Sequence, residues 1–379
     1  KWVERGSLNQ AGSVFDAEYD PQTDEIWLLS AGGTLWKGLR DGSHWEVVNQ
    51  NFKFSHGLLK FVEHDGGRRL ISAIERVPHY SDDDGLTWTA SQGVPIDDGW
   101  GNIRDAVVLE DSLNTIYLMS KRSYWQNVKI FKSVDNGENF FEIHNFNTHE
   151  FNYASLNNPH NSVDVYVIEK SNPVKFSKIN HQNNALEPLS ENPDFTFGDE
   201  RANLKGISGN ATIWFYAYDE NDDVYRTENF GETWELRGNI GAGPWSVGLY
   251  VSKWDPDMIF AGEVNCHRSF NGGQDWFKVN EWWEYYNDID NKLHADMMDY
   301  HEFLTADGTP FLLVSNHGGL NISYNNLNTI DNIGLEGLNV AQYYSVRTNQ
   351  SVPYWIYAGS QDQGMQRTNL FDQTQDVAN

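Results

Sequence analysis

The 379-residue chain carries 54 acidic and 27 basic side chains, a formal charge of -27 that excludes the phosphate-neutralising surface of a nucleic-acid binder and disfavours docking on anionic lipid. Aromatic residues make up 14% of the sequence, so the acidity indicates a well-solvated folded exterior and not disorder. A single cysteine, Cys266, excludes an intrachain disulfide and a thiolate metal cluster. No apolar run is long enough to span a membrane, so we expect no direct membrane insertion. The start at Lys1, without Met or a signal segment, is expected of a mature or trimmed product.

Short strand-like segments separated by turn residues run through the whole sequence. The first group is Val14–Tyr19, Glu25–Leu29, Thr34–Lys37 and His44–Val48, with Asp-Pro, Gly-Gly and Asp-Gly turns between them. Similar groups follow, and the predicted units lie near 12–50, 55–92, 103–145, 160–182, 205–238, 247–282 and 297–330. The Asn-rich stretch 144–161 and the segment 180–199 are predicted to be loops between units. No segment has a sustained helical period, so the sequence predicts an all-β fold.

One motif recurs along the chain: a hydroxyl residue, Asp or Asn two positions later, Gly two beyond that, and an aromatic three after the Gly. Its four complete copies are Ser81, Asp83, Gly85 and Trp88; Ser133, Asp135, Gly137 and Phe140; Thr227, Asn229, Gly231 and Trp234; and Ser269, Asn271, Gly273 and Trp276. Degenerate copies occur at Asp41–Trp45 and Ser171–Phe176. The closing aromatics recur about every 46 residues, a period typical of four-stranded propeller blades.

The chemistry of the motif predicts a structural role. An Asp or Asn side chain bonds to backbone N–H groups in a tight turn, and glycine adopts a positive φ without strain. The closing aromatic is expected to pack between neighbouring blades, where one ring buries on the order of 150–250 Å². We therefore expect Asp83 and Asp135 to hold turns and not to take part in catalysis.

This motif resembles the Asp-box, or bacterial neuraminidase repeat, of sialidases, sortilins and xyloglucan-hydrolysing glycosidases. The resemblance implies a β-propeller with four-stranded blades and the box at the turn between the third and fourth strands. Counting units predicts seven blades over residues 1–340, with an eight-bladed ring as the alternative. Residues 341–379 are then the first strands of an eighth blade or of a following propeller or domain.

The last third of the chain is similar to large secreted repeat proteins of Bacteroidetes-type bacteria that are exported by the type IX route. The motifs that carry this resemblance are Gly241–Ser246, Trp254–Asp257, Ala261–Glu263, His294–Asp296, Asn316–Leu320 and Gly359–Gly364. The chain departs from the usual pattern at Met298, His317 and Gln363, where such proteins carry His, Asp and Asn. The resemblance implies an extracellular or cell-surface location and membership of a larger multidomain chain or assembly.

Enzymatic activity is the less favoured expectation. The two-propeller xyloglucanases carry a catalytic Asp in a stretch that corresponds to Leu29–Gly33, which contains no carboxylate here. Glycoside hydrolysis normally needs two carboxylates. Sialidases carry an Arg-Ile-Pro motif, which only Arg76–Pro78 weakly resembles. A lyase that uses His, Tyr and Arg stays open, and no catalytic residue is assigned.

The segment Glu281–Tyr286 with the following residues to Asp296 is the best candidate for a binding surface. Its predicted ligand-binding residues are Trp282, Trp283, Tyr285, Tyr286, His294 and Asp296. Aromatic rings flanked by carboxylates and amides suit sugars, because the apolar face of a pyranose stacks on a ring while polar groups bind its hydroxyls. The alternatives are that Trp282 and Tyr285 pack under the loop, and that His294 and Asp296 form a buried pair bracing the seventh blade.

We assign no metal site and expect no required cofactor. Calcium is compatible with the Asp/Asn clusters at Asp219–Asp223 and Asn287–Asp290, although neither matches a complete calcium-loop motif. The favoured function is a recognition or scaffold module for a polysaccharide or a surface-protein partner. The alternatives are a polysaccharide-degrading hydrolase or lyase, with its cleft between this propeller and a following domain, and a structural subunit of a surface assembly.

Overall fold

The computed structural model describes residues 11–95, 102–121, 125–191, 195–243, 248–352, 354–361, 364–369 and 375–378. Within these residues the chain forms eight four-stranded antiparallel sheets, and each sheet is a run of strands that pair in chain order. We number the sheets 1 to 8 from the N-terminus. One short 3-10 helix, Trp282–Asn287, lies between sheets 6 and 7 in the sequence.

The strands are as follows. Sheet 1 contains β1 (Val14–Asp20), β2 (Glu25–Ser30), β3 (Leu35–Leu39) and β4 (Glu46–Asn49), and sheet 2 contains β5 (Phe54–His64), β6 (Gly67–Ile74), β7 (Val77–Ser81) and β8 (Thr89–Ala90). Sheet 3 contains β9 (Asn102–Val108), β10 (Ile116–Lys121), β11 (Lys129–Ser133) and β12 (Phe141–Asn145), and sheet 4 contains β13 (Ala154–Asn157), β14 (Tyr166–Glu169), β15 (Lys175–Ile179) and β16 (Leu186–Glu191). Sheet 5 contains β17 (Lys205–Ser208), β18 (Ile213–Tyr218), β19 (Asp223–Thr227) and β20 (Glu235–Asn239), and sheet 6 contains β21 (Gly248–Val251), β22 (Ile259–Gly262), β23 (Cys266–Ser269) and β24 (Phe277–Lys278). Sheet 7 contains β25 (Met297–Leu304), β26 (Pro310–Asn316), β27 (Gly319–Ser323) and β28 (Asp331–Asn332), and sheet 8 contains β29 (Tyr343–Thr348), β30 (Trp355–Ser360), β31 (Gly364–Asn369) and β32 (Gln375–Ala378).

The chain divides into two compact units. The first comprises Lys1–Lys53 with Val279–Asn379, and the second comprises Phe54–Lys278. In the first unit, sheets 1 and 7 share one apolar core, in which the ring of Tyr19 meets the edge of Phe311 at 4.9 Å. The segment after sheet 7 completes this core with Leu338 and Val340.

The second unit holds sheets 2 to 6, and an apolar cluster fills each space between consecutive sheets. Aromatic side chains dominate the cluster between sheets 4 and 5, where Tyr166 meets the edge of Phe215 at 4.7 Å. β-Branched and aromatic residues fill these positions because they suit a pleated, buried surface. Cys266 is buried in β23.

Two predicted loops contain strands. Residues 144–161 include β13, and residues 180–199 include β16, so the prediction of loops was wrong in these segments. Ala154 and Leu156 of β13 are buried in the cluster between sheets 3 and 4. Only alternate residues of such a short strand face the core, so its apolar signal is lost among the surrounding asparagines.

One hydrogen-bond pattern recurs at the turn between the third and fourth strands in five of the described sheets. In sheet 2 the Ser81 hydroxyl donates to Asp83 Oδ1 (2.9 Å) and accepts from the Gly85 N–H (2.9 Å), while Asp83 Oδ1 accepts from the Thr87 N–H (2.8 Å). The same three bonds are made from Ser133, Thr227, Ser269 and Ser323. In the Ser323 turn, Leu327 takes the position of the glycine at φ +62°. Each turn therefore satisfies its own polar groups.

The aromatics that close these turns differ in burial. Phe140 and Trp234 are buried, whereas Trp88 and Trp276 are half-buried. The indole N–H of Trp88 donates to the carbonyl of Gly85 at 2.9 Å, and its ring meets the edge of Phe54 at 5.3 Å. The ring of Trp88 thus ties the turn to the first strand of its own sheet.

Candidate functional site

The segment between sheets 6 and 7 begins with the 3-10 helix Trp282–Asn287. A capping box holds its start, because the Glu281 side chain accepts from the backbone of Glu284 and the Glu284 side chain accepts from the backbone N–H of Glu281. Lys292 reaches back to Glu284 with its ammonium 2.9 Å from the carboxylate, and this pairing lowers the pKa of Glu284. The capping box thus holds the residue before the helix, and the Lys292–Glu284 ion pair holds the segment after it.

Asn280 closes the base of this segment. Its side-chain amide donates to the carbonyls of Glu281 (2.8 Å) and Leu293 (3.0 Å), and its oxygen accepts from the backbone N–H of Leu293 (3.0 Å). Asn280 is itself buried, so these bonds are shielded from water. We call residues 281–293 the clasped loop, because one side chain joins its two ends.

Two tryptophans of the clasped loop face solvent. Trp282 is 41% exposed and Trp283 is 51% exposed, and their rings stand perpendicular with centroids 5.7 Å apart. The ring of Tyr286 is also perpendicular to that of Trp282, with centroids 6.2 Å apart. The loop therefore presents two indoles at an angle to each other, and the first of them also contacts a phenol ring.

The next layer of the loop is buried. Tyr285 and His294 are almost fully enclosed, and their rings meet edge to face at 4.7 Å. The hydroxyl of Tyr286 lies 3.4 Å from His294 Nε2. Burial raises the pKa of Tyr285, so this phenol stays neutral. A Cβ on Gly318 would lie 2.3 Å from His294 Cβ, which shows how closely the next hairpin packs on this imidazole.

Asp296 lies just before β25 in the left-handed backbone region, at φ +65°. Its carboxylate Oδ2 is 2.9 Å from Nδ1 of His317, and the backbone N–H of His317 donates to the carbonyl of Ala295 at 3.3 Å. His317 occupies the position at which similar sequences carry Asp. The sequence identified that departure but gave no sign that His317 pairs with Asp296.

The structure thus separates the six predicted site residues by depth. Trp282 and Trp283 are exposed, Tyr286 and Asp296 are half-buried, and Tyr285 and His294 are buried. The sequence did not predict the roles of Asn280, Lys292 and His317, which hold this arrangement. A short polar residue before an aromatic run is the only signal that pointed to Asn280.

The two Asp/Asn clusters form hydrogen-bonded turns. Asp219 is buried, and its Oδ1 accepts from the backbone N–H groups of Asn221 (2.8 Å) and Asp223 (3.1 Å). Asp288 accepts from the side chain of Asn291 at 2.7 Å. These hydrogen bonds use some of the oxygen atoms that could bind calcium. Calcium binding at either cluster stays a prediction.

No family model matches the chain, and no curated protein matches it either. Solved structures resemble it at low identity. YCF48 from Cyanidioschyzon merolae aligns with a TM-score of 0.54 and 14% identity, over 84% of this chain and 97% of that chain. YCF48 bound to D1 peptide aligns with a TM-score of 0.53 and 13% identity, over 85% of this chain and 92% of that chain. The extracellular domain of the putative one-component system BT4673 from B. thetaiotaomicron aligns with TM-score 0.54 and 11% identity, over 97% of this chain and 46% of that chain.

These likenesses and the eight four-stranded sheets show the fold class predicted from the sequence, an all-β fold of the β-propeller type. The number of blades in the ring stays a prediction. Among the described residues, no helix is long and apolar enough to cross a membrane.

Proposed function

We propose that the protein is a recognition module that binds a neutral polysaccharide on the paired indoles of Trp282 and Trp283. The observation that carries the proposal is the exposure of both rings on a helix that the capping box and Asn280 hold in place. A fixed aromatic surface loses little conformational entropy when a ligand binds. Exposed apolar groups that lie together also mark interaction sites more often than scattered ones do.

The polar groups around the indoles suit sugar hydroxyls. Asn287 and Asp290 are exposed and Asp288 is half-buried, all within the clasped loop. Carboxylates and amides offer hydrogen-bond acceptors and donors at the rim of an apolar contact. Small-ligand sites commonly combine an apolar surface with a few such polar groups. The net charge of -27 favours a neutral over an anionic polysaccharide.

The ion pair that Asp296 makes with His317 favours recognition over hydrolysis. Glycoside hydrolysis needs one carboxyl group that donates a proton and a second that acts as base or nucleophile. Asp296 is already paired with His317 at 2.9 Å, and Tyr285 and His294 lie too deep to touch a substrate. The proposal includes an extracellular or cell-surface location, in keeping with the resemblance of the last third of the chain to secreted repeat proteins.

The test is affinity electrophoresis of the protein against a panel of neutral plant and algal polysaccharides. We expect retention on at least one of them, and we expect Trp282→Ala and Trp283→Ala each to weaken it by about 5- to 30-fold, the loss of about 1–2 kcal/mol per anchoring ring. Trp254→Ala is the matched control, because Trp254 is similarly exposed at 47% but lies outside the loop. Its binding should equal that of the wild type.

Three outcomes would contradict the proposal. Equal weakening by Trp254→Ala would show that the effect is not specific to the loop. Release of reducing ends that Asp296→Ala abolishes would favour the hydrolase or lyase. Failure to bind any polysaccharide in the panel would favour a protein partner or a structural role in a surface assembly.

A further inference from the structure

Three side chains of metal-ligand type meet where sheet 1 packs on sheet 7. Asp16 comes from β1, and Asp299 and His301 come from β25; one ligand atom of each lies within 4.8 Å of the others. His301 Nε2 is 3.1 Å from Asp299 Oδ2 and 3.6 Å from Asp16 Oδ1. Among the described residues, no other group of three His, Cys, Asp or Glu side chains meets so closely.

Irregularities in both strands lie beside the two carboxylates. The pairing register of β1 shifts between Val14 and Asp16, and that of β25 shifts between Met297 and Asp299. Such bulges re-aim side chains and are common near functional sites. Asp299 and His301 are two positions apart on one strand, so they share a face of the sheet.

The spacing of the three ligand atoms matches a coordination sphere. Metal bonds of about 2.0–2.2 Å to nitrogen and carboxylate oxygen place neighbouring ligand atoms about 2.8–3.6 Å apart in tetrahedral or octahedral geometry. Both distances from His301 Nε2 fall within this range. The two carboxylate oxygens lie within 4.8 Å of each other.

Burial and charge favour a divalent cation over a simple ion pair. Asp16 is 6% exposed, and the side chain of His301 is 13% exposed. A buried carboxylate is stabilised by pairing or by a metal ion. One imidazolium neutralises a single carboxylate, whereas a divalent cation neutralises both and accepts the lone pair of a neutral imidazole.

We propose that Asp16, Asp299 and His301 bind one divalent transition-metal ion, with Zn²⁺ as the best match, between the first strands of sheets 1 and 7. One imidazole nitrogen and two carboxylate oxygens form a donor set that suits Zn²⁺, whereas Ca²⁺ takes six to eight oxygen ligands and no nitrogen. Three protein ligands leave at least one position for water or an oxygen-bearing ligand. This site is separate from the Trp282–Trp283 surface and does not depend on the proposed glycan binding.

The test is calorimetric titration of the chelator-treated, dialysed full chain with Zn²⁺, followed by titration with Co²⁺ monitored by visible absorption. We expect one equivalent per chain and ligand-field bands from Co²⁺. Asp16→Asn, Asp299→Asn and His301→Gln should each weaken Zn²⁺ binding by at least about tenfold, because each removes a ligand. Zn²⁺ should also raise the melting temperature of the wild type.

His181→Gln is the matched control. His181 Nε2 lies 3.3 Å from Asp164 Oδ1, a similar His–Asp contact in the second unit that is not part of a three-ligand group among the described residues. This variant should bind Zn²⁺ like the wild type and show the same rise in melting temperature. Because Asn and Gln nearly preserve side-chain volume, circular dichroism of each variant separates loss of a ligand from loss of the fold.

Several results would overturn the proposal. Absence of Zn²⁺ binding would show that the three side chains form an ordinary ion pair. Binding that all three ligand variants leave unchanged would place the metal elsewhere. Preference for Ca²⁺ over Zn²⁺ would contradict the role of the imidazole.

Discussion

His160 is a half-buried histidine whose surroundings oppose its protonation. Its backbone pairs with β17: the His160 N–H donates to the Gly206 carbonyl (3.1 Å), and the His160 carbonyl accepts from the Ser208 N–H (2.8 Å). The centroid of its ring lies 5.5 Å from that of Tyr250. Burial first, and then the positive charge of Lys253, lowers the pKa of His160 from 6.5 to about 3. The imidazole is therefore neutral in the folded protein at every ordinary pH.

This histidine should make the protein less stable in acid. Between pH 6.5 and pH 3 the unfolded chain binds a proton at His160 that the folded chain does not, so the free energy of unfolding falls as the pH falls. From pH 6.5 to pH 4.5 the loss due to this residue should be about 2 kcal/mol. His160→Gln, which cannot titrate, should reduce the pH dependence by that amount in urea unfolding at the two pH values.

The control for this prediction is His149→Gln, because the side chain of His149 is exposed. Its stability should fall between the two pH values as steeply as that of the wild type. If His160→Gln also keeps the full dependence, the acid sensitivity comes from other groups and the neutral state of His160 contributes nothing.

At the scale of single residues, the sequence identified the turn residues better than the site. The motif located four of the five matching turns, and it missed the one at Ser323 because Leu327 stands where the motif requires Gly. Leu327 is buried, so its apolar contacts compensate for the left-handed backbone. The aromatic segment was visible in the sequence, but the burial of Tyr285 depends on tertiary contacts such as that of its ring with His294.

At the scale of elements, Gly93 lies where sheet 2 meets sheet 3. Its neighbour Gln92 donates to the Glu138 carbonyl and accepts from the Phe140 N–H, both at 2.8 Å. Gly93 has φ +84°, and a Cβ there would lie 1.8 Å from the carbonyl oxygen of Phe140. Gly66 has a similar φ of +75° in the β5–β6 hairpin, with no atom within 4 Å of the corresponding Cβ.

The two glycines separate backbone strain from steric contact. Gly66→Ala should cost about 1 kcal/mol, because alanine is strained in the left-handed region but meets nothing. Gly93→Ala should cost at least about 2 kcal/mol more, because the sheet contact at Phe140 must open. Urea unfolding of the two variants gives the comparison. Equal losses of unfolding free energy in the two variants would show that the contact between Gly93 and Phe140 can open at no cost in stability.

Strand prediction succeeded where apolar and polar residues alternate over several positions, as from Phe15 to Asp20 in β1. It failed for β13, whose four residues include only two apolar core side chains. A short strand is fixed by pairing with its neighbour, here Ala154 to Asn157 against Tyr166 to Glu169, and such pairing is not encoded locally.

At the scale of the whole molecule, the packing of sheet 1 on sheet 7 supports a boundary near residue 340. Val340 belongs to the shared core, and a Cβ on Gly12 would lie 2.4 Å from the Val340 carbonyl oxygen. Trp45 donates from its indole to the carbonyl of Ile333 at 2.9 Å. By contrast, β29 is exposed along its whole length. We therefore propose that residues 1–340 form the propeller and that the sheet at 343–378 lies outside its cooperative core.

Two deletions test this boundary. Removing residues 341–379 should change the melting temperature by no more than a few degrees. Removing residues 333–379 should lower it strongly, because the deletion also takes Ile333, Leu338 and Val340 from the core, each worth about 1.5–3 kcal/mol when buried. If the shorter deletion alone unfolds the chain, the eighth sheet belongs to the same cooperative structure and the eight-bladed alternative gains support.

The sequence predicted the fold class because the repeat multiplies weak local signals. It could not locate the proposed metal ligands, because Asp16 and His301 are 285 positions apart and no short motif joins them.

The bonds that Asn280 makes to both backbone groups of Leu293 have a consequence for evolution and for engineering. Because Asn280 fixes the backbone of Leu293, a substitution at an exposed position of the clasped loop should have little effect on the strand that follows, β25. The exposed positions of the loop, such as Trp282, Trp283 and Asn287, can therefore change while β25 keeps its register, provided that Asn280, Leu293 and the buried Tyr285 stay. If the proposed binding role is correct, ligand preference can change at these exposed positions without renewed selection on the stability of the sheets.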